Sequence, residues 1–251
     1  MFHRICQRSI LPVSSQRGAS VLELLIAIAI SSVTFSGVCS MIAQYGQRFQ
    51  NHQIASGLKQ ESRIGLEVLT SELKLAGTGG GPGEAALLRI GKTDLRFNAN
   101  LSSLQTVLSQ PAQAGTLEVI VENGSGWPDG KQVILCSLDR CMANRLIRTG
   151  RANALSMELP LSAVFPAGSA VFVSNRVHYY LSQDDQGVTR VMREVDGGIG
   201  TLISGVSDFR LEYFGRNGFP TTDAALVARV RVTVDLKDVH RLTIHEIGLR
   251  T

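Results

Sequence analysis

Cys136 and Cys141 stand with four residues between them in Ile134-Leu135-Cys136-Ser137-Leu138-Asp139-Arg140-Cys141. That spacing suits a short loop closed by a disulfide in an oxidising compartment. So small a loop contributes about 2 kcal/mol in the chain-entropy picture. A zinc site would need two more ligands at matching spacing, and the histidines do not supply them. Cys6 and Cys39 lie apart, the second as a small apolar residue of a hydrophobic run. The other chemically suggestive residues are isolated. Glu23 is the single charged side chain between Ala19 and Ala43. Asp184-Asp185-Gln186-Gly187 could bind calcium weakly, but two acids in a tight turn are more often simply solvated, and the ligand count is short. His240 and His245 fall on opposite faces of a strand. His245-Glu246-Ile247-Gly248-Leu249 has Leu where a zinc-protease helix needs its second His. There is no Gly-x-Ser-x-Gly elbow, and Gly77-Thr78-Gly79-Gly80-Gly81-Pro82-Gly83 lacks the Lys-Ser/Thr of a phosphate loop. The reading is therefore no enzyme, no cofactor and no metal.

The elements that carry these residues are set by composition and periodicity. With 44% hydrophobic and 18% charged residues in a chain of 251, a disordered tail and a disulfide-dense miniprotein are excluded. The net charge of +4 is local: Arg4, Arg8 and Arg17 precede Gly18, and without them 22 basic residues face 21 acidic ones. A nucleic-acid binder keeps its basic patch on the folded domain, so no nucleic-acid site is expected. Residues 19–43 as a helix would span about 37 Å, enough to cross a bilayer with some tilt. The basic flank keeps the N-terminus cytoplasmic and sends the remainder outward, which agrees with a disulfide.

Three explanations compete for this segment. It could be a secretory signal peptide, with Val21–Ile30 as its apolar core and Ala27-Ile28-Ala29 as the cleavage site, delivering a periplasmic enzyme or binding protein. It could be a plain anchor. Neither accounts for Glu23, since an acid near the centre of a membrane segment costs about 3 kcal/mol and marks a function. The third explanation is a resemblance. Gly18-Ala19-Ser20-Val21-Leu22-Glu23-Leu24-Leu25 resembles the processing motif of type IV prepilins, in which a glycine ends a basic leader and glutamate is the fifth residue after it. The resemblance implies cleavage between Gly18 and Ala19 by a prepilin peptidase, N-methylation of Ala19, and retention of the apolar segment. Ala19 and Ser20 stand where that family most often has Phe and Thr. The new amine would lie about 6 Å along the axis from Glu23. Glu23 could then meet the amine of a neighbouring subunit; unit charges at 4 Å attract by about 4 kcal/mol at an effective dielectric of 20, before desolvation.

Past Tyr45 the chain stays helical in pattern, free of proline to Ala76. Ile54, Leu58, Gly65, Leu69, Leu73 and Ala76 share one face, flanked by Ile64, Val68 and Leu75. Glu61 and Glu72 fall inside this stripe and must be paired or at its rim. The helix from Ala19 to Ala76 would measure about 87 Å. The glycine run then reads as a C-cap and flexible turn, and residues 84–115 as irregular, with a short helix at Leu101–Leu108.

From Thr116 strands and turns alternate. They are Leu117–Glu122, Lys131–Cys136, Asn144–Arg148, Ala154–Leu159, Ala170–Val173, Val177–Ser182, Val188–Glu194, Phe209–Phe214, Leu226–Leu236 and Arg241–Leu249. Trp127-Pro128 and Tyr179-Tyr180 read as turn and core packing. The expected fold is α+β, a long N-terminal helix with a hydrophobic first half on an antiparallel sheet. Its parts would be a cleaved leader (1–18), a membrane or filament-core helix (19–43), an amphipathic helix (44–76), a variable loop (77–115) and a β head (116–251).

This layout resembles the type IV pilin fold. Leu69–Gly77, Val177–Leu181, Val191–Glu194, Ile203–Phe209 and Ile247–Thr251 are similar to the helix end and strands of the PilW-type minor pilins and the related J-type minor pseudopilins of type II secretion. Membership would imply an inner-membrane protein with a periplasmic head that passes into a pilus fibre. Its partners would be the prepilin peptidase, other minor pilins and the major pilin, the inner-membrane assembly platform and membrane lipid.

Overall fold

The computed structural model describes residues 20–81, 83–237 and 243–249. The fold is α+β. Among the described residues one α-helix, α1 (Val21–Leu73), precedes fourteen strands, with a short 3-10 turn at Ala224–Leu226. They are β1 (Leu87–Ile90), β2 (Asp94–Ala99), β3 (Gln105–Val107), β4 (Glu118–Ile120), β5 (Gln132–Cys136), β6 (Cys141–Arg145) and β7 (Ala154–Ser156), followed by β8 (Ala170–Val173), β9 (Asn175–Gln183), β10 (Thr189–Val195), β11 (Gly198–Ile203), β12 (Val206–Gly215), β13 (Val227–Leu236) and β14 (Thr243–Gly248). Two compact units meet between Gln53 and Ile54. The first is the N-terminal part of α1; the second holds every strand.

The second unit has two cores. One lies beneath a five-stranded antiparallel sheet ordered β1-β2-β9-β10-β11 and a three-stranded sheet ordered β12-β13-β14. Leu69, Leu73 and Ala76 of the helical stripe enter it, joined by Leu66, with Leu95, Phe97, Val177, Val191 and Val232. Alternation along β10 puts Arg193 on the same face as Val191, pointing at the helix, directly across from Tyr179 on β9. Glu72 meets both: its carboxylate accepts from Arg193 Nε at 3.1 and 3.0 Å, from Arg193 Nη2, and from the Tyr179 hydroxyl. One turn set further up the helix, Glu61 Oε1 accepts from the Ser204 backbone N–H at 2.9 Å. The two acids of the stripe are thus paired, as the burial of Glu72 requires; Glu61 is half-buried.

The other core belongs to a separate β lobe. Between β2 and β9, which pair directly, the chain leaves the main sheet to form sheets β3-β8-β5-β6 and β4-β7 around Trp127, Leu135, Leu155, Phe165 and Val171. Two buried asparagines hold its stems. Asn175 Oδ1 accepts from Leu101 N–H at 3.1 Å, and Asn100 Nδ2 donates to the Leu104 carbonyl at 3.0 Å. Asp196 joins lobe to sheet through Lys131 at 2.8 Å, Asn175 at 2.8 Å and the Arg176 N–H at 2.9 Å. Burial pushes this carboxyl up, but those three donors outweigh it and hold it below the usual Asp range.

Several expectations change. Residues 84–115 carry β1, β2 and β3, and no helix forms at Leu101–Leu108, because Gln105–Val107 pairs with β8 instead. The strand expected at Asn144–Arg148 runs at Cys141–Arg145, since a two-residue turn at Leu138-Asp139 brings the chain straight back onto β5. A single head sheet gives way to two cores. The glycine run ends the helix, with Gly77 at φ 87°, and part of it is closely packed: a Cβ on Gly79 would lie 2.7 Å from the Ala99 carbonyl carbon, and one on Gly81 would lie 3.1 Å from the Cys141 sulfur. Of the last strand, residues 241 and 242 lie outside the described residues, as does His240.

Two substitutions test the docking of α1. Glu72→Ala leaves Arg193 facing the core with its partner gone; because Arg193 keeps a third of its side chain in water, a loss of about 2–3 kcal/mol is expected from unfolding followed by circular dichroism. Gly65→Ala places a Cβ 2.7 Å from the Leu202 carbonyl oxygen. The clash costs about 1–3 kcal/mol, which exceeds the ~1 kcal/mol helix-propensity gain, so the variant melts below the wild type.

Candidate functional site

The residues singled out for assembly are Gly18, Ala19 and Glu23. Gly18 and Ala19 lie outside the described residues. Glu23 occupies the first turn of α1. Ser20 caps that turn: its carbonyl accepts from Glu23 N–H at 2.9 Å and Leu24 N–H at 3.2 Å, and its hydroxyl lies 3.4 Å from Leu22 N. The Ser20-x-x-Glu23 spacing is that of a capping box, and a carboxylate there also meets the positive end of the helix dipole. Local helix chemistry therefore explains an acid at this position as well as an assembly role does. It does not explain why the surrounding surface is apolar.

That surface is the main feature of the first unit. Val21–Gln50 is long and apolar enough to cross a membrane, and none of its most apolar stretch is buried. Leu22, Leu25, Ile26, Phe35, Met41 and Ile42 each expose more than half of their area. Cys39 is an exposed free cysteine on the same helix. Three hydroxyls in this stretch bond back to the helix: Ser32 donates to the Ala29 carbonyl at 2.8 Å, Thr34 to those of Ile30 and Ser31 at 3.0 and 2.9 Å, and Ser40 to that of Gly37 at 3.3 Å. Back-bonding of this kind satisfies polar groups inside a hydrocarbon layer.

Cys136 and Cys141 form a disulfide, with Cα atoms 4.1 Å apart. They face each other across β5 and β6, next to the pair in which Ser137 N–H donates to the Arg140 carbonyl at 2.8 Å. The alternation of bonded and non-bonded pairs in an antiparallel ladder puts the cysteines at the closer, non-bonded position. Beyond them Asp139 accepts from Ser137 at 2.6 Å and from Arg140 Nε at 3.0 Å, and its carboxyl sits at about 2, below the usual range, because of those two side chains.

The remaining candidates are structural. Asp184 Oδ1 accepts from the Val188 and Gln186 N–H groups at 2.8 and 3.0 Å, and Oδ2 pairs with Arg190 at 2.6 Å. Its oxygens close a turn, and the Val188 bond leads the causes that lower its pKa. Trp127 and Tyr179 are core residues. Among the described residues no group of three His, Cys, Asp or Glu side chains could hold a metal ion. Sequence reasoning did not find Arg193, the partner of Glu72, because nothing local marks a cation that pairs with a residue 121 positions away.

No protein-family model, no curated protein and no solved structure matches the chain.

Replacing both cysteines, Cys136→Ala with Cys141→Ala, is expected to lower the stability of the β lobe by about 2 kcal/mol. Trp127, the chain's one tryptophan, sits in that core and reports the change by fluorescence. The core around Leu69 and Val191, followed by circular dichroism, should move less.

Proposed function

We propose that this protein is a minor type IV pilin of the PilW kind. A prepilin peptidase cuts between Gly18 and Ala19, Ala19 is N-methylated, and the apolar part of α1 stays on the mature chain. Residues 19–43 lie first in the inner membrane, with the N-terminus cytoplasmic and the sheets periplasmic, and then among the helices of a fibre. There the protein joins other minor pilins to prime assembly at or near the tip.

One observation carries this reading. A single helix combines an uncovered apolar stretch, charged only at Glu23, with a stretch whose acids Glu61 and Glu72 are consumed by a β-sheet. A cleaved signal peptide has no need to continue into the fold it delivers. The disulfide in the β lobe fits a periplasmic head. The basic residues ahead of Gly18 fit the orientation.

In the fibre, Glu23 pairs with the Ala19 amine of a neighbour and sets the axial register. Glu23→Ala is then expected to reach the membrane in normal amount and to fall at least tenfold in sheared fibres. Tenfold corresponds to about 1.4 kcal/mol, well inside the gross attraction of about 4 kcal/mol. Wild-type incorporation of the variant would overturn the register role.

A further inference from the structure

Three arginines crowd the outer face of the five-stranded sheet, and nothing above uses them. Leu95, Phe97, Val177 and Tyr179 enter the core, so Asp94 and Arg96 on β2 and Arg176 and His178 on β9 face the opposite side. Arg96 stands directly across from Arg89 on β1 and, on its other flank, directly across from His178. Arg176, two residues before His178, is its diagonal neighbour.

The carboxylates of this face are engaged elsewhere. Asp94 Oδ1 lies 3.4 Å from Arg89 Nε, and its Oδ2 lies 2.8 Å from His178 Nε2. Glu194 Oε2 lies 3.2 Å from His178 Nδ1. Both ring nitrogens of His178 are thus occupied, whatever the charge on the ring. Asp196 takes Lys131, Asn175 and the backbone N–H of Arg176. Among the described residues no carboxylate forms an ion pair with the guanidinium of Arg96 or of Arg176. Arg176 is exposed; Arg96 is half-buried, and its Nε is enclosed without a hydrogen-bond partner. That enclosure holds the side chain against the sheet instead of letting it extend into water, away from Arg89. Like charges directly opposite on paired strands are destabilising, and an enclosed N–H with no acceptor adds to the cost. The sheet keeps this arrangement and supplies no internal compensation for it.

We propose that Arg89, Arg96 and Arg176 form a binding site for a phosphate group, free or at the head of a lipid. A carboxylate offers two oxygens and is satisfied by a single guanidinium fork, whereas the oxygens of a phosphate serve several forks at once. Asp94 keeps Arg89 on this face. Three guanidiniums then share one carboxylate, and a phosphate dianion matches the excess.

The test uses the full chain in an uncharged maltoside detergent. Inorganic phosphate and dihexanoyl phosphatidic acid are separate probes, with chloride at equal ionic strength as the control. Phosphate should act saturably and raise the melting temperature by about 3–6 °C at about ten times its dissociation constant; chloride should not. Arg96→Gln should lose that gain and bind at least about tenfold more weakly, as removal of a charged hydrogen bond entails. Should Arg96→Gln not fold, Arg176→Gln, at an exposed position, carries the same expectation. Arg210→Gln, on β12 of the other sheet, should bind as the wild type does. Tighter binding of the lipid than of inorganic phosphate makes the headgroup the source and the reverse makes it the free anion; either supports the site. A response that does not saturate, one that chloride reproduces, or undiminished binding by the arginine variants of this face would overturn it.

Discussion

A carboxylate that leaves water must find donors, and Glu72 finds them in Arg193 and Tyr179. The contact fixes more than a distance. It sets the rotation of α1 about its axis and its position along the sheet, and Glu61 repeats the constraint about three turns earlier through Ser204. Burial and the Glu72 charge push the Tyr179 hydroxyl far above its usual range, so it stays a donor. The Glu72 bonds likewise raise Arg193. Around this anchor Leu66, Leu69 and Leu73 meet the sheet without charge left unpaired, and Gly65 lets the helix close on β11.

The N-terminal part of the same helix has no such partners. Burying one large aliphatic side chain is worth roughly 1.5–3 kcal/mol. The run of exposed residues from Val21 to Ile42 therefore amounts to on the order of 20 kcal/mol of uncovered apolar surface. Against that, Glu23, at the end of the segment where an acid costs less than the ~3 kcal/mol it would at the centre, is a small penalty. In the proposed function, lipid and then the apolar helices of other subunits would supply that cover.

Much of this was legible in the order of residues. The alternation Arg229-Val230-Arg231-Val232-Thr233-Val234 announced β13, and the spacing of Leu69, Leu73 and Ala76 announced the buried face of α1. The place of Glu72 in that stripe demanded a partner. Other features left no local mark. β2 alternates polar and apolar residues, yet it follows a glycine run and a stretch without other strand signals. β11 carries Gly198 and Gly200 and so lacks strand propensity; it forms because β10 pairs with it across the Asp196-Gly197 turn. The strands β4, β5, β7 and β8 were legible, but not that they form a separate lobe between β2 and β9, because its boundaries, Asn100 and Asn175, are defined by tertiary hydrogen bonds. The assembly residues Gly18 and Ala19 rest on the sequence motif alone.

The central claim is that the apolar half of α1 belongs to the working protein. Intact mass spectrometry of the chain extracted from membranes tests it most directly. The account predicts a mature chain that begins at Ala19, carries one added methyl group and retains the Cys136–Cys141 bond. A mature chain beginning at Ile30 or a neighbouring residue would contradict it.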